Sequence, residues 1–130
     1  MKRSGILHGE LSKVVAELGH GQSIVLADYG LPIPSGVRVI DLAIKVGMPT
    51  VLDVLEILLT EMYVETAILA LPLQELHPQL CAELCHQIAV PVTFVSHEEF
   101  KNLLSFTNTV VRTGEWTSYA NVLLRSGVLF

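Results

Sequence analysis

Apolar residues recur along the chain with two alternating periods. Leu11, Val14, Val15 and Leu18 fall at i, i+3, i+4 and i+7, one face of a helix. Glu10 or Ser12 stands near its start, and Gly19 follows its end, where helices often stop. Ser23 to Asp28, with Ile24, Val25, Leu26 and Ala27 inside it, predicts a short buried strand. Gly30 to Gly36 holds two prolines and two glycines and predicts a loop. Val37 to Leu42 predicts a second strand. Thr50 and Asp53 pair as a helix cap ahead of a stripe of Leu52, Leu55, Leu58, Leu59 and Met62. Val64 to Leu71 is a third strand. His77-Pro78 opens a helix that turns Leu80, Cys81, Leu84, Cys85 and Ile88 inward. Pro91 to Val95 is a further strand, and Ser96 with Glu99 caps a helix reaching about Leu104. The tail, Asn108 to Arg112 and Asn121 to Phe130, predicts two or three strands around a turn at Thr113-Gly114-Glu115.

Strands alternating with helices predict an α/β fold. The expectation is a single three-layer α/β/α domain over residues 1–130, its sheet largely parallel and partly mixed, with the tail making one end antiparallel. Ligands of such folds sit at the carboxyl ends of strands, which singles out Asp28, the last residue of the first strand.

Composition narrows the picture. Hydrophobic residues make up 51% and charged residues 16%, against about a quarter charged in ordinary domains, so disorder is excluded. A net charge of -5 argues against nucleic acid as a partner. No stretch is long enough to span a membrane: Asp53 and Glu56 interrupt Val51 to Leu59, and Pro72, Gln74 and Glu75 end the run from Ala67. No cleavable leader follows Met1-Lys2-Arg3, so the expected location is the cytoplasm. The surplus apolar surface then predicts contacts between subunits.

Neither a phosphate loop, a dinucleotide fingerprint nor a nucleophile elbow is present. Cys81, Cys85 and His86 lack the four ligands from two segments that a zinc site uses, so no metal is expected. The candidates are polar residues at predicted loops and strand ends. His20 lies between two glycines: it is a solvated linker residue or an acid/base beside a closely approaching ligand. Asp28 caps its own turn or accepts sugar hydroxyls. His97 is a first-turn helix residue or a neutral hydrogen-bonding partner. Tyr119 and Asn121, two apart on a strand face, are ordinary strand residues or a sugar surface. His8, His77 and His86 read as structural. Spacing alone does not choose a reaction.

A set of short motifs runs in order through nearly the whole chain. It comprises Leu18-Gly19-His20-Gly21, Asp28, Gly30-Leu31-Pro32-Ile33-Pro34, Ile40-Asp41-Leu42-Ala43, Gly47-Met48-Pro49, Glu61-Met62, Val64-Glu65, Ser96 to Lys101, Arg112-Thr113-Gly114-Glu115 and Tyr119-Ala120-Asn121. Together they resemble the ribose pyranase family, whose other branch holds the fucose mutarotases; the Gly-Leu-Pro-Ile-Pro loop resembles the ribose branch. Tyr29 departs from the small residue the family carries there, and the region before Pro91 is shorter than in some relatives.

The resemblance implies interconversion of the pyranose and furanose forms of D-ribose, supplying furanose for ribose catabolism. It implies His20 as proton donor and Asp28, His97, Tyr119, Ala120 and Asn121 as substrate-binding residues. It also implies a homodecamer of two pentameric rings with the site near subunit contacts. Moving protons on a hemiacetal transfers no electrons and no group, so no cofactor is expected. A fucose-type mutarotase, a non-catalytic sugar-binding module and a purely structural oligomer are the alternatives.

Overall fold

The computed structural model describes residues 1–130. Its centre is a six-stranded sheet ordered β2-β5-β1-β6-β3-β4. The strands are β1 (Ser23–Ala27), β2 (Arg38–Asp41), β3 (Val64–Ala70), β4 (Val92–Val95), β5 (Thr109–Arg112) and β6 (Val122–Ser126). The helices are α1 (Gly9–Glu17), α2 (Val51–Leu59), α3 (Leu71–Leu76), α4 (Pro78–Ile88) and α5 (His97–Leu103).

Every residue of β1 is buried, because alternate side chains feed different cores. Ile24 and Leu26 join a cluster that includes Leu11 and Val14 of α1, Val54, Leu55 and Leu58 of α2, and Cys81, Leu84 and Ile88 of α4. Val25 and Ala27 join a smaller cluster with Phe100, Leu104 and Leu31. The three-layer arrangement follows directly: a continuous apolar strand needs a cover on both faces.

The sheet is parallel except at β6, which runs antiparallel to both β1 and β3. The expectation that the antiparallel pairing lies at one end of the sheet is corrected here, since β6 is the fourth strand of six. The tail is not a strand pair folded about Thr113 to Glu115. β5 lies on one side of β1 and β6 on the other, because β1 is apolar on both faces and takes a neighbour at each edge.

Two of the caps expected from local sequence are formed. The Thr50–Asp53 capping box is formed reciprocally, and Ser96 accepts from the Glu99 backbone N–H. The cap of α1 differs: His8, through Nδ1, accepts from the Leu11 N–H, in place of Glu10 or Ser12. Gly21, not Gly19, takes the positive φ of this connection, at 79°. Leu71 belongs to α3, a short helix admitted by Pro72 in its first turn.

Candidate functional site

A cleft of about 320 Å³ opens at the carboxyl ends of the parallel strands. The turn after β1 lines it with Asp28, Tyr29, Gly30, Leu31 and Pro32. The start of α5 contributes His97, and the segment between β5 and β6 contributes Glu115 to Tyr119. Because β6 runs against its neighbours, its first residues lie where theirs end, and this brings Tyr119 to Asp28.

Asp28 is held from both sides. Its Oδ1 accepts from the Gly30 N–H at 2.9 Å, and its Oδ2 accepts from Asn121 Nδ2 at 3.1 Å. A carboxylate offers about four lone-pair directions, so each oxygen retains acceptor capacity toward the cleft. Asn121 is fully buried and absent from the cleft lining. Its side chain is committed to Asp28, whose backbone N–H it also accepts at 2.7 Å. Ala120 is fully buried as well. Of the Tyr119-Ala120-Asn121 run, only Tyr119 faces the cleft. These residues precede β6 rather than forming a strand face, and Tyr119 has a φ of 63°, a costly left-handed geometry for an aromatic residue.

His97 stands edge-on to Tyr119, with ring centroids 4.9 Å apart at 85°. Its Nδ1 is buried without a hydrogen-bond partner in the protein. An unpaired buried nitrogen beside an acceptor-rich carboxylate is what a polyhydroxylated ligand satisfies. One turn into the same helix, Lys101 bonds Glu98 at 2.7 Å and holds that carboxyl below its ordinary range.

Four features of the site lay beyond the sequence reading. Tyr29 and Trp116 stack at 5.7 Å on the cleft wall, with the Arg112 guanidinium 5.8 Å from the Tyr29 ring centre. Glu115 is buried and accepts from the N–H groups of Val51 and Thr117, tying the loop to the start of α2. His77 Nε2 meets Ser118 Oγ at 3.1 Å. Gly114 packs so closely that a Cβ would lie 2.6 Å from the carbonyl oxygens of Lys45 and Met48. Turn residues near predicted strand ends were the available signal; which of them bury or stack depends on contacts distant in sequence.

His20 is not in this cleft. It precedes β1, whereas Asp28 follows it, and five strand residues at about 3.3 Å each separate the two loops by roughly 17 Å. At its own end of the sheet, His20 Nε2 lies 3.3 Å from Glu65 Oε2, both side chains about half exposed. The fold therefore brings Asp28, His97 and Tyr119 together, sets Ala120 and Asn121 behind them, and leaves His20 at the opposite end of the strands.

The fold is a small α/β domain with a polar and aromatic cleft at its strand ends. The chain belongs to the RbsD / FucU transport protein family, whose model matches residues 1–129. It is 50% identical to a D-ribose pyranase of Symbiobacterium thermophilum and 48% identical to one of Exiguobacterium sibiricum, each match covering 100% of both chains. The structure of Bacillus subtilis RbsD complexed with D-ribose superposes with a TM-score of 0.96 at 44% identity, again covering 100% of both chains. The fucose mutarotase of Streptococcus pneumoniae shares the fold, with a TM-score of 0.74, 22% identity and 95% coverage of each chain.

Proposed function

We propose that this protein is an isomerase that interconverts the pyranose and furanose forms of D-ribose. The observation that carries the reading is the cleft itself: a carboxylate fixed by Asn121 and Gly30, an unpaired His97 nitrogen and an aromatic wall, at the strand ends where such folds bind ligands. Full-length identity to proteins named D-ribose pyranase supports ribose as the sugar.

Opening the pyranose ring breaks the bond between the anomeric carbon and the ring oxygen. The ring oxygen gains a proton and the anomeric hydroxyl loses one. The resulting aldehyde is then attacked by the hydroxyl on carbon four. Asp28 accepts from sugar hydroxyls, His97 bonds another through Nδ1, and the rings of Tyr29, Trp116 and Tyr119 cover the apolar face of the sugar. His20 is the proton donor to the ring oxygen, a step in which an imidazole contributes about a hundred- to ten-thousand-fold near neutral pH. One of the polar groups of the cleft or a water takes the anomeric proton.

The length of β1, roughly 17 Å (five residues at about 3.3 Å each), lies between the His20 loop and the Asp28 loop, so in this reading a second copy delivers His20 to the cleft. Exposed Ile44, Val46, Met48 and Trp116 near the rim support such a contact, and a closed homo-oligomer, a decamer of two pentameric rings, is the assembly we propose. No helix is long and apolar enough to cross a membrane. Free thiols at Cys81 and Cys85 suit a reducing compartment, and we place the reaction in the cytoplasm.

Ring-exchange NMR with D-ribose tests the activity, with L-fucose as a second arm. Rapid pyranose–furanose exchange on ribose is expected from the parent and a loss of at least a hundredfold from His20→Ala. Parent-like exchange in His20→Ala, or faster exchange on fucose than on ribose, overturns the reading.

A further inference from the structure

His20 does not hang freely from its loop. The N–H of Gly21 donates to the Ser126 carbonyl at 2.8 Å, and the N–H of Ser126 returns a bond to Gln22 at 2.8 Å. The positive φ of Gly21 lets the chain turn there without a side-chain clash. The backbone of His20 is thus fastened to the end of β6, and β6 is paired to the start of β3.

The pairing of β3 with β6 is irregular at one place. Val64 faces Ser126 and Thr66 faces Arg125, so two steps on β3 answer one step on β6, and Glu65 is the extra residue. A bulge of this kind breaks the strict alternation of a strand and re-aims the side chain it carries. The Glu65 carboxylate meets His20 Nε2 at 3.3 Å. Beside it, the backbone of Gly127 passes so close that a Cβ there would lie 2.9 Å from both the Glu65 Cβ and the Tyr63 ring. The acid is therefore set by local backbone geometry and close packing, not by a chance surface encounter.

An ionised carboxylate only accepts hydrogen bonds. The nitrogen facing it must donate, which makes Nε2 the protonated, anchored nitrogen of His20 and leaves Nδ1 to exchange a proton. We propose that Glu65 is a positioning residue for the ring-opening reaction: it holds the His20 imidazole through Nε2–H and directs Nδ1 to the sugar of the neighbouring copy's cleft. This rests on the function proposed above. In the step itself the Nδ1 proton moves to the ring oxygen as the bond to the anomeric carbon breaks, and the imidazole is left neutral with Nε2–H still on Glu65. On reclosure the hydroxyl of carbon four gives its proton to Nδ1 as its oxygen bonds the anomeric carbon, and the aldehyde oxygen regains the proton given up on opening.

The test compares parent, His20→Ala, Glu65→Ala and Glu65→Gln by ring-exchange NMR over a range of ribose concentrations, with assembly followed by light scattering. Glu65→Ala is expected to lower kcat about ten- to a hundredfold with KM within about twofold of the parent. Glu65→Gln should recover most of that loss, since its amide oxygen accepts the same N–H. A parent-like kcat in Glu65→Ala beside an inactive His20→Ala overturns the positioning role and leaves the function standing. A rise in KM at unchanged kcat, or Glu65→Gln as slow as Glu65→Ala, overturns it too. An active His20→Ala removes the function on which it rests.

Discussion

Asp28 and Asn121 are joined by two hydrogen bonds, the Asp28 N–H donating to Oδ1 at 2.7 Å and Nδ2 donating to Oδ2 of Asp28 at 3.1 Å. In the proposed function, Asn121 acts on the sugar by holding the Asp28 carboxylate. Asn121→Ala should strand a buried N–H and free the carboxylate to rotate. The expected cost is about 1–3 kcal/mol of stability, read by thermal unfolding, together with a higher KM for ribose. An unchanged KM would show that Asn121 does not set the carboxylate's position.

If two copies share each site, variants that fail separately should complement. His20→Ala and Asp28→Asn are each expected to be inactive. Dissociated, mixed and reassembled, they should regain part of the parent exchange rate, because some clefts with intact Asp28 then face an intact His20. A mixture as inactive as its components would mean that one chain supplies both groups.

Trp116 is the only tryptophan of the chain, and it lies on the cleft wall against Tyr29. Its fluorescence should change saturably as D-ribose is added. The change should vanish in Trp116→Phe while ring exchange persists. Removing the partner ring with Tyr29→Ala should cost about 0.5–1.5 kcal/mol and lower the affinity read from this signal.

Burial, and then the neighbouring Cys85, push the Cys81 thiol from its ordinary 9.0 up to about 11. The folded state thus keeps a proton that the unfolded chain gives up sooner. Stability from this source is complete below pH 9.0, the unfolded value, and is lost as pH rises toward about 11. Thermal unfolding across that window should fall less steeply in Cys81→Ala than in the parent. Equal slopes would contradict the shift.

Much of the fold could be read along the chain because its signals are local. The Thr50–Asp53 cap, the proline start of α4 and the continuous apolar run of β1 depend on neighbours a few residues away. The placement of β5 and β6 on opposite sides of β1 does not, since both strands are apolar enough to pair with it and only the packed sheet decides. The site divides in the same way. Asp28 follows from the rule that ligands meet strand ends, and the His97–Tyr119 contact lies in the same cleft. The burial of Asn121, the stacking of Tyr29 on Trp116 and the separation of His20 from the cleft are properties of the third dimension, invisible to spacing.

β6 touches both halves of the chemistry. Its first residues follow Tyr119 and Asn121, and its last, Ser126, grips the His20 loop. In the proposed function, one copy therefore carries its proton donor at one end of the sheet and its sugar cleft at the other. Copies set in an open row would always leave one donor and one cleft idle at the two extremities. Only an arrangement that closes on itself gives as many working sites as chains, so, on that reading, the direction of a single strand ties full activity to closure.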